Sequence, residues 1–377
     1  MRVLVILWFI GGAFGFAALS GGRFTGTSAG YAKDAMPKVL RIRKNVINLT
    51  AKEKHDFIQA VLEIKRRGIY DRLVKLHVDA VLHATSGENE TPSYTVRNAA
   101  HRGPATLPWH RAYLNLFESE LQKINPTVAI PYWDWTVDAP MRDPSKAPIW
   151  SPDFLGGNGI KEKDWEVVDG PFGFKGGHWP ISVPGTFEGQ KIPPYLRRGF
   201  GHFTDAAGVL VTTLPTKADV MTAMNEPLYD MAPWDARPFT GGFRNRLEGW
   251  ITSAADPINV WSPGLQLHNR VHIYVGGTMK FAWSPNDPVF LLHHAYVDRL
   301  WVLWESHQRQ INKALTPNEI LYLPRSGGPI GHNLHDTLYP FQPAIQVIDV
   351  LDHHKLRYRY DDEETPKSKP PLPDCHG

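Results

Sequence analysis

Residues 286–301 read Asn286-Asp287-Pro288-Val289-Phe290-Leu291-Leu292-His293-His294-Ala295-Tyr296-Val297-Asp298-Arg299-Leu300-Trp301. Asn-Asp-Pro is a helix start, because a short polar side chain caps the first free N–H groups and the fixed φ of proline suits the first turn. The run that follows predicts a helix from Pro288 to Gln308, apolar enough to be buried. Two adjacent imidazoles, His293 and His294, lie inside it. An unpartnered polar ring in such surroundings is costly, so one or both need a partner.

The next helical pattern upstream, Gln266–Val275, contains His268-Asn269-Arg270-Val271-His272. Two histidines at i and i+4 share one face of a helix, close enough to chelate one ion. Taken alone, such a pair is more often a chance of spacing. Its surroundings change that reading, since Gly276-Gly277 ends this helix and the capped His293-His294 helix follows at once. Neighbouring positions on a helix point about 100° apart, so one ion takes only one of those two rings. The third ligand beside His268 and His272 is therefore His293 or His294.

The first half offers a matching set. His101 lies in a loop, Ala100-His101-Arg102-Gly103-Pro104, and His110 opens a helix over Pro108–Lys123 whose Tyr113, Leu114, Phe117 and Leu121 recur at three and four. Residues 51–84 are helical in pattern and broken in two by Gly68. The second piece carries His77 and His83, which six positions of rotation turn about 240° apart, so only one faces the bundle. His77, mid-helix after Leu73, Val74 and Leu76, is preferred to His83 near the end.

Composition bounds the rest. With 377 residues and 42% hydrophobic content the chain can bury a large core. Thirteen Trp and 32 Pro point to a helical framework with long Pro-rich loops. Residues 136–243, rich in Gly and Pro, read as surface loops that shape a substrate entrance. A net charge of +3 without a basic stripe argues against nucleic acid as partner. The one cysteine, Cys375, excludes an intramolecular disulfide and a thiolate metal cage, leaving imidazole or carboxylate as ligands. Met1-Arg2 followed by the apolar stretch Val3–Leu19 and Ala18-Leu19-Ser20 fits a cleaved signal peptide over 1–20, with an uncleaved membrane anchor as the alternative. The protein is then secreted or periplasmic. Residues 21–36 read as a linker, and 361–377, charged and Pro-rich, as a disordered tail.

LPWHRAYLNLFE (107–118), LQLHNRVHIYVGG (265–277) and NDPVFLLHHAYVDRLW (286–301) resemble the two copper-binding regions of tyrosinase and catechol oxidase, the type 3 binuclear copper family. PYWDW (131–135) and Tyr358-Arg359-Tyr360 match as well. The resemblance runs over 37–360, the expected copper-binding domain, and is to the compact bacterial type of tyrosinase. It implies a mainly α fold in which a four-helix bundle holds both coppers, with long loops and a few short strands. It puts one copper on His77, His101 and His110 and the other on His268, His272 and His294, leaving His293 hydrogen-bonded elsewhere. Tyr70-Asp71-Arg72-Leu73-Val74 resembles the segment that precedes the first ligand, which supports His77.

The implied activity is O2-dependent hydroxylation of monophenols and oxidation of o-diphenols to o-quinones, with two copper ions, O2 as co-substrate and a small phenol as partner. A diphenolase-only catechol oxidase and an o-aminophenol oxidase are the near alternatives. An oxygen carrier of the haemocyanin type needs a covering domain, and none is evident after Tyr360. A dinuclear zinc hydrolase needs bridging carboxylates, which these spacings lack.

Many fungal, plant and molluscan relatives link a cysteine to a histidine of the first site. This chain has no cysteine there, so packing and hydrogen bonds must hold that imidazole. A monophenol must also lose a proton whose ordinary pKa is about 10. In bacterial relatives a Glu and the Asn after the first ligand of the second site hold a water for this. Asn269 fits that place, and Phe243-Arg244-Asn245-Arg246-Leu247-Glu248-Gly249 resembles the Glu-bearing segment, making Glu248 its counterpart. The plainer reading of Glu248 is a solvated helix carboxylate. Ile273 is expected to face the substrate, and Asp298 to pair with Arg41 or Arg43. Tyr132, Trp133 and Trp135 are expected in the core. His178, His202, His332, His335, His353 and His354 are read as surface or structural.

Overall fold

A computed structural model describes residues 40–85, 97–174, 179–187, 190–205, 208–236, 241–250, 265–316 and 319–363. The expected signal, linker and most of the tail lie outside these residues, as do His178 and Cys375. Thr50 caps the first helix, its side chain accepting from the N–H of Glu53 while Glu53 reaches back to the N–H of Thr50. That helix, α1 (Ala51–Arg66), stops where Gly68 takes φ +68°, and α2 (Ile69–Leu82) begins at once. The break expected at Gly68 is therefore observed.

Then come α3 (Thr106–Gln122), the short α4 (Trp135–Asp138), α5 (Lys217–Met224), α6 (Phe243–Glu248), α7 (Leu267–Val275) and α8 (Val289–Ile311). Asp287 caps α8 by accepting from the N–H of Val289 at 3.0 Å, with Pro288 between them. At the end of α7, Gly276 has φ +68°, and a Cβ there would lie 2.0 Å from the Phe203 ring, so only glycine fits. Strands are few. β1 (Arg41–Arg43) pairs in parallel with β4 (Tyr358–Tyr360), and β2 (Thr186–Phe187) pairs antiparallel with β3 (Gln190–Lys191).

The fold is mainly α, and a bundle of α2, α3, α7 and α8 forms its centre. α3 packs on α8, α7 on α8, and α1 on α2 and α3. Tyr113 of α3 donates to the Leu73 carbonyl of α2 at 2.9 Å. Behind the bundle lies a buried charge network. Asp298 of α8 accepts from Arg111 Nε at 2.6 Å, from Arg43 Nη1 at 3.2 Å, and from the Tyr358 and Tyr360 hydroxyls at 2.6 Å each. Arg43 also meets Glu118 at 3.0 Å. The expected pairing of Asp298 with Arg43 is present; Arg41 goes to Glu118 instead, at 2.8 Å.

Two expectations need correction. The described residues of 136–243 are loops with short elements, as expected, but they are not surface throughout, because Trp150, Phe154, Leu155, Val167, Phe172 and Trp179 are buried. Arg198 organises that region from inside, pairing with both oxygens of Asp287 at 2.8 Å and donating to the carbonyls of Leu155 and Gly156. Order also continues past residue 360. Asp361 accepts from the Tyr132 hydroxyl at 2.9 Å and from the N–H of Asn45 at 3.1 Å, and Glu363 accepts from the N–H of Tyr360 at 2.8 Å. Tyr132, Trp133 and Trp135 are buried in the core as expected.

Candidate metal centre

Seven imidazoles meet where the bundle helices converge. His77 of α2, His101 of the loop before α3 and His110 of α3 each offer a ring nitrogen within 4.8 Å of the others. His268 and His272 of α7 form a second group with His293 and His294 of α8. The groups abut, for the His110 and His294 rings stack with centroids 4.2 Å apart. His83, the rejected alternative to His77, lies exposed and stacks on Tyr339.

Hydrogen bonds fix which nitrogen is free in four of these rings. Nδ1 of His77, His110 and His272 lies 2.7, 2.8 and 2.7 Å from the carbonyls of Ala282, Thr106 and Met279. A carbonyl only accepts, so each Nδ1 carries the proton and each Nε2 keeps its lone pair. Nδ1 of His268 lies 3.0 Å from Asn269 Oδ1 and 3.4 Å from the Glu248 carbonyl, with the same result. The free Nε2 atoms point inward. Those of His77 and His110 are buried without a partner. Those of His268 and His272 each lie 3.3 Å from Nε2 of His294. Two inward lone pairs facing one nitrogen cannot both be satisfied by its single proton. A cation among them satisfies all three.

His293 behaves differently from its neighbour. Its ring stacks on His268 at 5.1 Å, and the His268 carbonyl approaches it, but neither nitrogen makes a hydrogen bond. The His268 backbone is the acceptor this ring faces, at a geometry short of a full hydrogen bond. Phe290, which the sequence reading passed over, stacks on His294 at 4.0 Å and also borders His77, His110 and His272. Its place one helical turn before His294 was the available signal.

Glu248 ends α6 and is buried, which rules out the solvated reading. Its Oε1 accepts from the N–H of Arg102 at 2.7 Å and its Oε2 from Arg244 Nη1 at 3.0 Å. It thereby ties α6 to the loop of His101. Asn269 gives its Oδ1 to His268, while its Nδ2 is buried without a partner. Glu248 and Asn269 thus flank the same imidazole, one through its backbone carbonyl and the other through its side chain. Among the described residues, neither histidine group includes a carboxylate.

Burial holds these rings in the neutral form. It lowers His77 to about 3 and His268 to about 4, and it sets His101, His110, His272 and His294 well below the usual imidazole range. Neutral imidazoles are the form a metal needs. The unfolded chain takes up protons on its histidines below about pH 6.5, whereas the folded chain does not until about pH 4 or 3. Acid therefore favours unfolding across that window. The melting temperature of metal-free protein is expected to fall between about pH 6.5 and 4, and a flat calorimetric profile there would contradict the placement of these rings.

The family model for the common central domain of tyrosinase matches residues 67–307. The chain belongs to the tyrosinase family. A tyrosinase of Streptomyces glaucescens is 41% identical over 322 residues, covering 85% of this chain and 99% of that protein. A grixazone synthase of Streptomyces griseus subsp. griseus is 36% identical, covering 86% of this chain and all of its own. Among solved structures, a polyphenol oxidase of Thermothelomyces thermophila superposes with a TM-score of 0.59 at 20% identity, over 87% of this chain and 91% of that one, which is a likeness of fold. Tyrosinase-family membership makes the centre a binuclear copper site and the protein a type 3 copper oxidase. The donor set agrees, since imidazole nitrogens suit copper.

Proposed function

We propose that this chain hydroxylates monophenols and oxidises o-diphenols to o-quinones with O2, holding one copper on His77, His101 and His110 and the other on His268, His272 and His294. The observation that carries the reading is the convergence of the Nε2 atoms of His268, His272 and His294, together with the Nδ1 protons of His268 and His272 engaged on fixed acceptors. When bound, the copper pair supplies the electrons that reduce O2 and the place where it is activated.

The chain supplies orientation, dryness and proton handling. The carbonyls of Ala282, Thr106 and Met279 fix three rings in the tautomer that leaves Nε2 free. Phe290 and Trp109 close the inner wall against water. Ile273, next to His272, offers an apolar surface suited to an aromatic ring. Asn269 keeps one donor unspent, and a buried N–H without a partner suits a water held against the phenol hydroxyl. The Glu248 carboxylate, engaged on Arg102 and Arg244, assists by fixing that side of the centre.

Asn269→Ala removes the donor, while the Glu248 carbonyl, 3.4 Å from the same His268 nitrogen, remains to accept its proton. Tyrosine hydroxylation is expected to fall on the order of 100-fold, the usual scale for lost proton-transfer help, with catechol oxidation far less affected. Steady-state rates on both substrates check this, and equal losses would remove Asn269 from the proton step. The function itself is tested by oxygen uptake of copper-loaded protein with tyrosine, a catechol and an o-aminophenol side by side. Uptake with tyrosine and catechol is the expected result. Uptake with catechol alone would make the enzyme a diphenolase only, and uptake with o-aminophenol alone would move it to that class.

We also infer export, supported by the basic start and apolar stretch of residues 1–20. N-terminal sequencing of protein recovered from the medium should read from just past Ser20. An intact Met1 would overturn that.

A further inference from the structure

The loop that carries His101 lies between the end of α2 and the start of α3, and neither the loop nor the helices beside it hold a cysteine that could fix its imidazole covalently. Two side chains from distant parts of the chain grip its backbone. One is Glu248, on the N–H of Arg102. The other is His332, which stands between α8 and β4 and is completely buried.

His332 uses both ring nitrogens. Nδ1 accepts from the N–H of Ala105 at 3.0 Å, so Nε2 carries the proton, and it meets Thr85 Oγ1 beyond the end of α2 at 2.9 Å. Burial keeps the ring neutral, lowering it to about 3. The ring also sets how close the loop comes. A Cβ on Gly103 would lie 2.8 Å from His332 Cε1 and 2.9 Å from Nδ1, a contact no other residue type could make without displacing the ring. The clamp itself is anchored, since the Tyr322 hydroxyl donates to the His332 carbonyl at 2.6 Å. The grip on Ala105 falls four residues after His101 and one before α3, the helix of His110.

We propose that His332 is a positioning residue for the first copper site, holding the His101–Ala105 loop in register with α2 and α3 where some relatives use a covalent link. The proposal rests on His77, His101 and His110 as ligands of that copper. A plain structural role would lower stability and affect both coppers alike. A positioning role weakens the first copper selectively.

The test uses the full copper-loaded chain and two substitutions. His332→Phe keeps the ring volume and removes both nitrogens. His332→Asn keeps an oxygen able to accept from Ala105. Copper per chain is followed during titration with a chelator, alongside the electron paramagnetic resonance of Cu(II), because a coupled pair is silent and a lone ion is not. For His332→Phe, affinity at one site is expected to drop about 10–100-fold, the usual effect of losing a group that orients a ligand. One copper per chain then remains, with the lone-ion spectrum of a His101→Ala reference. His332→Asn is expected to stay near the unmodified protein. If His332→Phe keeps both ions, or loses both together, the proposal is overturned. Should His332→Phe fail to fold, Thr85→Val carries the same test from the Nε2 side, with selective weakening of one site expected and no change or equal loss counting against it. Fewer than two coppers in the unmodified protein would overturn the ligand assignment underneath, which separates the two failures.

Discussion

Replacing His294 with alanine is expected to leave a protein that holds one copper per chain and consumes no oxygen with a catechol. Nε2 of His294 lies 3.3 Å from Nε2 of both His268 and His272, so its loss leaves two donors, both on one turn of α7. The ring also stacks on His110 and Phe290, which adds a disturbance at the first site. His293→Ala is the matched control. That ring is equally buried and one position away, but neither of its nitrogens takes part in the 3.3 Å contacts that join Nε2 of His294 to those of His268 and His272. It should retain two coppers and oxygen uptake. Metal analysis and oxygen electrode traces on both variants decide the matter, and the reverse pattern would exchange the roles of the two rings.

The second large effect is on stability. Asp298→Ala is expected to cost about 3–5 kcal/mol, the range found when one partner of a buried ion pair is deleted. The carboxylate faces two arginines and two tyrosine hydroxyls, none with water to turn to. Arg43 keeps Glu118, and Arg111 keeps the carbonyls of Val350 and Leu351, so the fold is weakened without being abolished. Asp298→Asn keeps the shape and some hydrogen bonds and should cost less. Urea unfolding of both variants provides the check; a loss under about 1 kcal/mol for alanine, the scale of a surface pair, would show that the network is not as enclosed as described.

Much of this centre was readable in the sequence because local rules govern it. Spacing of four puts His268 and His272 on one helix face, Gly68 takes a backbone conformation that breaks a helix, and Asn286-Asp287-Pro288 opens one. Helix geometry alone left His293 and His294 as alternatives, since it says they diverge and not which turns inward. The parts that were missed depend on contacts between residues far apart in the chain. Nothing near His332 signals that its ring will sit under Gly103, more than two hundred residues earlier. Arg198 lies in a stretch without periodicity, so the aromatic residues packed around it looked like a surface loop. Glu248 was legible as the counterpart of the family's Glu only through resemblance, and its contact with the loop of His101 is made across the chain. Asp361 belongs to a tail whose composition suggests disorder, yet Tyr132 and Asn45 hold it.

The central claim is the division of six histidines between two coppers. Anomalous X-ray scattering at the copper edge from crystals of copper-loaded protein tests it most directly. The account predicts two peaks, one within bonding distance of Nε2 of His77, His101 and His110 and the other of His268, His272 and His294. A single peak, or a peak bonded to His293 or to a carboxylate, would contradict it.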